Sequence, residues 1–205
     1  MLRLITEQLA YLPVERSLPV DDEMGEAAIL LVLVNDPNDP KIILTKRAEH
    51  LNSHRGEVAF PGGKWEEDDA DLLMTALRET EEEIGLHPSS VQVIGSLPAN
   101  FTRHSMRVRP YVGVIPPGLS LRANPDELDA VFDVPLRYLL DRSNLTVDRF
   151  VGPDYSLRMP CYIYQGYRIW GFSLVVLTDF LNLTLNAGIE LHYPDRVDLR
   201  LDIDD

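Results

Sequence analysis

The chain has 205 residues, with 19 Lys and Arg against 33 Asp and Glu and a formal net charge of -14. Its length fits one domain, and its hydrophobic and charged fractions of 45% and 25% are typical of a soluble globular protein and exclude a disordered chain. The acidic balance argues against non-specific binding to nucleic acid or to an anionic membrane, and it predicts that an anionic substrate is received through a bound divalent cation.

The sequence also carries features that depend on the cellular compartment. The single cysteine, Cys161, excludes an intramolecular disulfide and is compatible with a reducing environment. Residues 1–7 lack the apolar run of a signal peptide, and the longest apolar run, residues 27–34, is too short to cross a bilayer. We therefore expect a cytoplasmic protein that acts on a small molecule, with neither nucleic acid nor a membrane as partner, and the sequence leaves a homodimer open.

The predicted elements are mainly strands, with helices near both ends and in the middle. Residues 27–34 form a continuous apolar run, which is typical of a strand buried on both faces, and the turn at 35–40 predicts a hairpin with a strand at 41–46. The other predicted elements are a short helix and an irregular lead-in within 1–25, strands at 58–60, 91–96, 108–115 and 128–134, a short helix at 135–140, a hairpin across 162–170, a closing helix at 173–185 and an acidic tail at 186–205. We predict an α/β fold, a mixed β-sheet between helices, as a single domain over 1–205 with its core at 26–185.

One long helix has a clear period, and we predict it over 69–84. Apolar or small side chains recur along one stripe at helical spacing, so we expect this stripe to face the core. Gly85 and Pro88 then end the helix. The stripe consists of Leu73, Ala76, Leu77, Thr80 and Ile84.

Three carboxylates share one face of this helix, beside the apolar stripe. Glu79, Glu82 and Glu83 are three and four residues apart, so we expect them to be partly buried at the edge of the core. Such a face is often only solvated surface, but partly buried like charges repel one another, and a hard divalent cation relieves the repulsion. We therefore predict a site for Mg²⁺ or Mn²⁺ with these three ligands, and Arg78 is placed to hold Glu82, four residues later.

A pair of glycines precedes the helix. Gly62 and Gly63 have no Cβ, so their backbone N–H groups can approach a phosphate closely. Alone, the Pro-Gly-Gly sequence indicates an ordinary turn. Followed by a helix with three carboxylates on one face, it predicts a phosphate-binding site.

Together these segments resemble the Nudix box, the signature G-x5-E-x7-R-E-U-x-E-E-x-G-U of diphosphate hydrolases, where U is a bulky apolar residue. Gly63 opens the match, and the second half is matched by Arg78, Glu79, Glu82, Glu83, Gly85 and Leu86. Thr80 stands where an aliphatic residue is usual, and Gly63 and Arg78 are one residue further apart than in the signature. The first Glu of the signature therefore has no single counterpart, because counting from Gly63 gives Asp69 and counting from Arg78 gives Ala70.

One branch of that family, the coenzyme A pyrophosphatases, carries a similar extra residue between the glycine and the arginine. The upstream signature of this branch is L-L-T-x-R-[SA]-x3-R-x3-G-x3-F-P-G-G. The chain has Ile43-Leu-Thr-Lys-Arg-Ala48, Gly56 and Phe60-Pro-Gly-Gly63 in register. Later landmarks of the branch are matched loosely at 124–127, 134–136 and 169–171. The resemblance implies a Nudix-type α/β/α sandwich and hydrolysis of coenzyme A or its thioesters to 3′-phosphoadenosine 5′-phosphate and 4′-phosphopantetheine.

One departure from that signature bears on the substrate. Its second Arg is Asn52 here, and Asn cannot replace a bidentate guanidinium donor. His54 and Arg55 are close in sequence and are candidates to replace it, as is the basic segment 103–109. Arg107 in that segment is a further predicted phosphate ligand, although an ordinary strand with solvated charges explains the segment equally well.

The predicted site combines these residues. The resemblance and the helix face imply Glu79, Glu82 and Glu83 as metal ligands, with Glu82, Glu83 and Arg78 in the catalytic group and Glu127 reaching it from a loop. The acid that takes the proton from water stays open between a helix carboxylate and Glu127. The predicted substrate-binding residues are Arg47, Arg55, Gly62, Gly63 and Arg107.

Two other functions are compatible with the sequence. The first keeps the chemistry and changes the substrate to ADP-ribose, NADH, a nucleoside triphosphate or another nucleoside diphosphate derivative, which Asn52 favours. The second is a non-catalytic nucleotide-binding sensor, which the intact carboxylates and Arg78 disfavour.

Overall fold

The computed structural model describes residues 1–12, 14–16, 25–37, 39–51, 53–103, 105–151 and 156–193. Its helices are α1 (Leu2–Leu9), α2 (Leu72–Ile84), α3 (Leu136–Leu140) and α4 (Gly171–Leu185), with short 3-10 turns at Pro88–Ser90 and Arg142–Asn144. Its strands are β1 (Glu26–Val34), β2 (Lys41–Arg47), β3 (Val58–Ala59), β4 (Gly62–Lys64), β5 (Gln92–Ser96), β6 (Asn100–Phe101), β7 (Arg107–Ile115), β8 (Leu128–Pro135), β9 (Leu145–Val151), β10 (Ser156–Tyr164) and β11 (Tyr167–Ile169).

The larger sheet is mixed. β3, β2, β1, β7 and β5 lie side by side in that order, while β8 pairs with β2, β4 with β1 and β6 with β7. β1 and β7 run parallel along their whole lengths, from Glu26 beside Arg107 to Val34 beside Ile115. β1 and β2 form the predicted antiparallel hairpin.

Helices cover both faces of this sheet, which confirms the predicted α/β architecture. The apolar stripe of α2 packs with Ala28, Leu30 and Val32 of β1. Leu31 and Leu33 point to the opposite face and pack with α1 and α4. Because successive side chains of a strand point to opposite faces, the continuous apolar run of β1 is buried on both sides.

β1 changes partner along its length, and this change places the glycine pair beside α2. Its last residues pair with β2, whereas Ala28 and Ile29 pair with Gly63 and Gly62 of β4. Gly62 has a φ of 145°, and a Cβ there would overlap the carbonyl oxygen of Ala28. The close approach of β4 to β1 therefore requires glycine at this position.

The predicted end of α2 is correct, and its predicted start at residue 69 is three residues early. The side chain of Asp71 accepts a hydrogen bond from the N–H of Met74 at 2.9 Å, so Asp71 caps a helix that begins at Leu72. Gly85 ends the helix in the left-handed conformation.

A second, antiparallel sheet of β9, β10 and β11 was predicted only in part. The hairpin at 162–170 is present as the end of β10 and β11, but β9 and the first half of β10 were missed. Arg149 faces Arg158 across this sheet, so charged and apolar residues do not alternate cleanly here. The predicted acidic tail lies outside the described residues after residue 193. Among the helices that are described, none has the length and apolar composition needed to cross a membrane.

Candidate active site

Helix α2 presents the three predicted carboxylates at graded burial. Glu83 is buried, the Glu79 side chain is 17% exposed and the Glu82 side chain is 55% exposed. This gradient follows from the position of their face beside the apolar stripe, because the helix turns from the core to solvent across the three residues.

Glu83 is the most strongly perturbed of the three. Burial, together with the nearby charges of Glu127 and Glu79, raises its pKa to about 8, against the opposing effects of the Gly62 N–H and the Arg47 guanidinium. The Gly62 N–H donates to Glu83 Oε2 at 3.1 Å. Strand β4 thus supplies a backbone donor to a carboxylate that has little water around it.

Glu79 lies against the second glycine of β4. A Cβ at Gly63 would overlap the Glu79 carboxylate, so the missing side chain makes room for this acid. Burial raises the pKa of Glu79 as well, against the opposing effect of Arg78. The glycine pair therefore contacts two of the three helix carboxylates, one glycine for each.

Arg78 links Asp69, just before α2, to two of the helix carboxylates. It donates from Nε and Nη2 to the two carboxylate oxygens of Asp69, at 2.9 and 3.0 Å, and from Nη1 to Glu79 at 3.0 Å and Glu82 at 3.4 Å. These hydrogen bonds hold the pKa of Asp69 below its usual range. Arg78 therefore binds Asp69 as well as the predicted Glu82, and Asp69 is one of the two positions, 69 and 70, that counting along the sequence offered for the signature's first Glu.

Two loops bring further charged residues to Glu83. The N–H of Ala48, just after Arg47, donates to the Glu127 carbonyl at 2.8 Å, and the N–H of Asn124 donates to the Glu83 carbonyl at 2.8 Å. Arg47 and Glu127 both act on the pKa of Glu83, so both side chains lie near its carboxylate. The Arg47 Nε is buried and has no hydrogen-bond partner among the described residues. It is therefore available to an acceptor that the protein itself does not provide.

The remaining predicted substrate ligands separate into two places. Arg55 is exposed, on the loop that joins β2 to β3. Arg107 instead donates to Glu26 at 2.6 Å, an acid whose side chain is 1% exposed, so this arginine is engaged in an ion pair. Asn52 and His104, from the same predictions, lie outside the described residues.

The donor set suits a hard divalent cation. Glu83 is a buried carboxylate that faces two other acids, and a cation with oxygen ligands relieves that repulsion. The three carboxylates do not yet converge, since Glu79 and Glu82 contact Arg78 while Glu83 contacts Gly62. Across the described ranges, no three His, Cys, Asp or Glu side chains are gathered around one point as ligands. A shared cation therefore requires Glu79 and Glu82 to turn from Arg78.

These features are typical of a diphosphate hydrolase. A helix carries three carboxylates, a strand with two glycines packs beside it, and the Arg47 Nε has no hydrogen-bond partner among the described residues. The family model described as the NUDIX domain matches residues 24–145. The chain belongs to the Nudix family and is a Nudix hydrolase, an enzyme that acts on nucleoside diphosphate derivatives. Nudix hydrolases generally need divalent metal ions.

Relatives and solved structures agree with this assignment. The chain is 39% identical over 166 residues to the uncharacterized Nudix hydrolase NudL of Escherichia coli O1:K1 / APEC, covering 80% of this chain and 84% of that protein. NudL of Shigella boydii serotype 18 gives the same identity and the same coverage. A MutT/nudix family protein from Enterococcus faecalis has a TM-score of 0.53 and 15% identity, covering 83% of this chain and 66% of that one, and it shares the fold.

Proposed function

We propose that this enzyme hydrolyses the diphosphate of coenzyme A or of its thioesters. The products are 3′-phosphoadenosine 5′-phosphate and 4′-phosphopantetheine. The observation that carries the proposal is that residues of the upstream signature lie near Glu83, a carboxylate of the Nudix box. The charge of Arg47, within the upstream signature, lowers the pKa of Glu83, and the N–H of Gly62, near the end of that signature, donates to the Glu83 carboxylate.

The carboxylates of α2 are the proposed metal ligands. Glu79, Glu82 and Glu83 would hold Mg²⁺ or Mn²⁺ through their oxygens. When bound, such an ion lowers the pKa of a coordinated water and neutralises charge on the diphosphate. Arg78 orients Glu79 and Glu82, and Asp69 fixes Arg78 in turn.

The other groups orient the substrate and accept the proton. Because the Gly62 N–H already donates to Glu83, the Gly63 N–H and the unpartnered Nε of Arg47 would donate to phosphate oxygens. Water attacks one phosphorus, the new P–O bond forms, and the bond to the bridging oxygen breaks. In this proposal either a helix carboxylate, Glu83, or the loop acid Glu127 takes the proton of that water.

A substrate panel tests the proposal. We expect kcat/KM for coenzyme A and acetyl-coenzyme A to exceed kcat/KM for ADP-ribose, NADH and ATP by at least about tenfold, each measured with Mg²⁺ and with Mn²⁺. The second candidate is a nucleoside diphosphate substrate without the pantetheine arm, which Asn52 in place of the signature Arg favours. Higher kcat/KM for ADP-ribose or NADH than for coenzyme A would replace the first candidate by the second.

A further inference from the structure

The loop between β2 and β3, as far as the structure describes it (48–51 and 53–57), is fixed against the candidate active site. Its two ends are joined, because the Arg47 N–H donates to the Glu57 carbonyl at 2.9 Å and the Gly56 N–H donates to the Arg47 carbonyl at 3.1 Å. His50 Nε2 contacts the Asp126 carbonyl at 3.2 Å, next to Glu127. The loop therefore forms a wall of the site, tied to both the strand and the loop that carry Arg47 and Glu127.

Arg55 is the cation that this wall presents to solvent. It immediately precedes Gly56, so its backbone lies beside that of Arg47. Two carboxylates of the same loop are already engaged by other cations, because Glu57 contacts His54 Nδ1 at 3.0 Å and Glu49 contacts Lys46 Nζ at 2.8 Å. Among the described residues, Arg55 has no hydrogen bond or ion pair of its own.

The two arginines stand at different depths. Arg47 is half-buried and its charge lowers the pKa of Glu83, so we assign it to the candidate active site. Arg55 is exposed, and its chain neighbour Gly56 is hydrogen-bonded to the backbone of Arg47. A further phosphate on the substrate carries negative charge and is repelled by a chain of net charge -14 unless a local cation receives it. A guanidinium on a fixed loop is well suited to this, because it donates two parallel hydrogen bonds to a phosphate.

We propose that Arg55 is a specificity residue that binds a phosphate monoester of the substrate, separate from the two phosphates joined by the scissile bond. In coenzyme A this group is the 3′-phosphate. The inference rests on the proposed function for the choice of coenzyme A, and the chemistry it assigns to Arg55 is recognition of a phosphate monoester.

The test compares substrates that differ by this one phosphate. Values of kcat/KM are measured for coenzyme A and 3′-dephospho-coenzyme A with wild type, Arg55→Gln and Arg3→Gln. Arg3 is a matched control, since it is an exposed arginine on α1 that pairs only with Glu7 among the described residues. We expect wild type and Arg3→Gln to prefer coenzyme A equally, and Arg55→Gln to lose about tenfold of that preference, mainly through the KM for coenzyme A. Arg55→Lys, which keeps a point charge without the planar fork, should fall between them.

The outcomes separate this inference from the proposed function. If Arg55→Gln lowers kcat/KM equally for both substrates, Arg55 contacts the diphosphate or only supports the loop, and the proposal is overturned. If wild type cleaves neither coenzyme, the substrate assignment fails, and the same variants are compared on NADPH and NADH, which also differ by one phosphate monoester. A preference for NADPH that Arg55→Gln removes supports the proposal, and the absence of any preference in wild type overturns it.

Discussion

Glu83 combines two properties that are uncommon for a carboxylic acid, near-complete burial and a strongly raised pKa. It is 4% exposed, and its pKa is raised to about 8 from an ordinary value of 4.5. The unfolded chain ionises this group near pH 4.5, whereas the folded chain keeps it protonated up to about pH 8. The folded state without metal therefore loses stability as the pH rises through this window, and the loss is complete above the folded pKa.

Glu83→Gln should remove this pH dependence. Glutamine is neutral at every pH and keeps an oxygen that can accept from the Gly62 N–H, so the variant has no ionisation penalty. In a metal chelator, we expect the variant to melt at nearly the same temperature as wild type at pH 4.0, below the unfolded pKa, and several degrees higher at pH 8.5. Thermal melts across that range check this, and a difference in melting temperature that does not grow with pH would show that Glu83 titrates normally.

Arg78 could be predicted as a site residue from the sequence, whereas its hydrogen bonds to Asp69 could not. Arg78 was predicted to hold Glu82, and in the structure it contacts both Glu82 and Asp69. The counterpart of the signature's first Glu was ambiguous, because the segment before α2 is one residue longer than the signature. The structure resolves the ambiguity through the non-helical turn at Glu66 to Asp69, where the Glu66 N–H donates to the Asp69 carboxylate at 3.1 Å. Counting along a chain cannot locate a side chain in a segment whose backbone is irregular.

At the scale of elements, β4 and α2 form the site by direct contact. The two glycines of β4 differ in what a side chain would meet: backbone of β1 at Gly62, and the end of a flexible side chain at Gly63. Strand β4 should therefore respond to alanine in two distinct ways.

Gly62→Ala should destabilise the fold, and Gly63→Ala should impair catalysis. At Gly62 the new Cβ meets the Ala28 carbonyl oxygen and the φ of 145° is unfavourable, so we expect a loss of more than about 2 kcal/mol in the free energy of unfolding. At Gly63 the Glu79 carboxylate can move aside, so we expect a folded protein with kcat lowered at least about tenfold. Urea unfolding and steady-state kinetics of both variants check this, and equal stability losses would contradict it.

Helix α2 and strand β1 could be predicted because a strong periodicity marks them. The stripe from Leu73 to Ile84 gives the helix, Gly85 gives its end, and the apolar run of β1 gives a doubly buried strand. Strand β4 has no such marker, since its three residues are Gly-Gly-Lys and its existence depends on pairing with β1. Strands β9 and β10 were also hard to predict. Arg149 and Arg158 face each other there, so apolar and charged residues do not alternate with the regular period of a strand.

At the scale of the whole molecule, the net charge of -14 and the site act together. An acidic enzyme with an anionic substrate needs a local reversal of its field, and the proposed metal, Arg47 and Arg55 would supply it. Arg107, the remaining predicted cation, is engaged by Glu26.

Metal binding should stabilise the protein more at pH 8 than at pH 6. At pH 6 the metal must displace a proton from Glu83, whose pKa is raised to about 8, so the affinity for metal rises with pH up to that value. At a metal concentration 100 times Kd the stabilisation is about 2.7 kcal/mol. Melting temperatures with Mg²⁺ and Mn²⁺ at both pH values check this, and Glu83→Gln is the control that should lose the pH dependence. Equal metal-induced shifts at the two pH values in wild type would argue against Glu83 as a ligand.

The most direct measurement is chromatography of the products after incubation with coenzyme A and Mg²⁺ or Mn²⁺. The account predicts 3′-phosphoadenosine 5′-phosphate and 4′-phosphopantetheine from wild type, and a rate at least about 100-fold lower from Glu83→Gln that is folded by thermal melt. Intact coenzyme A with the wild-type enzyme, or full turnover by folded Glu83→Gln, would contradict it.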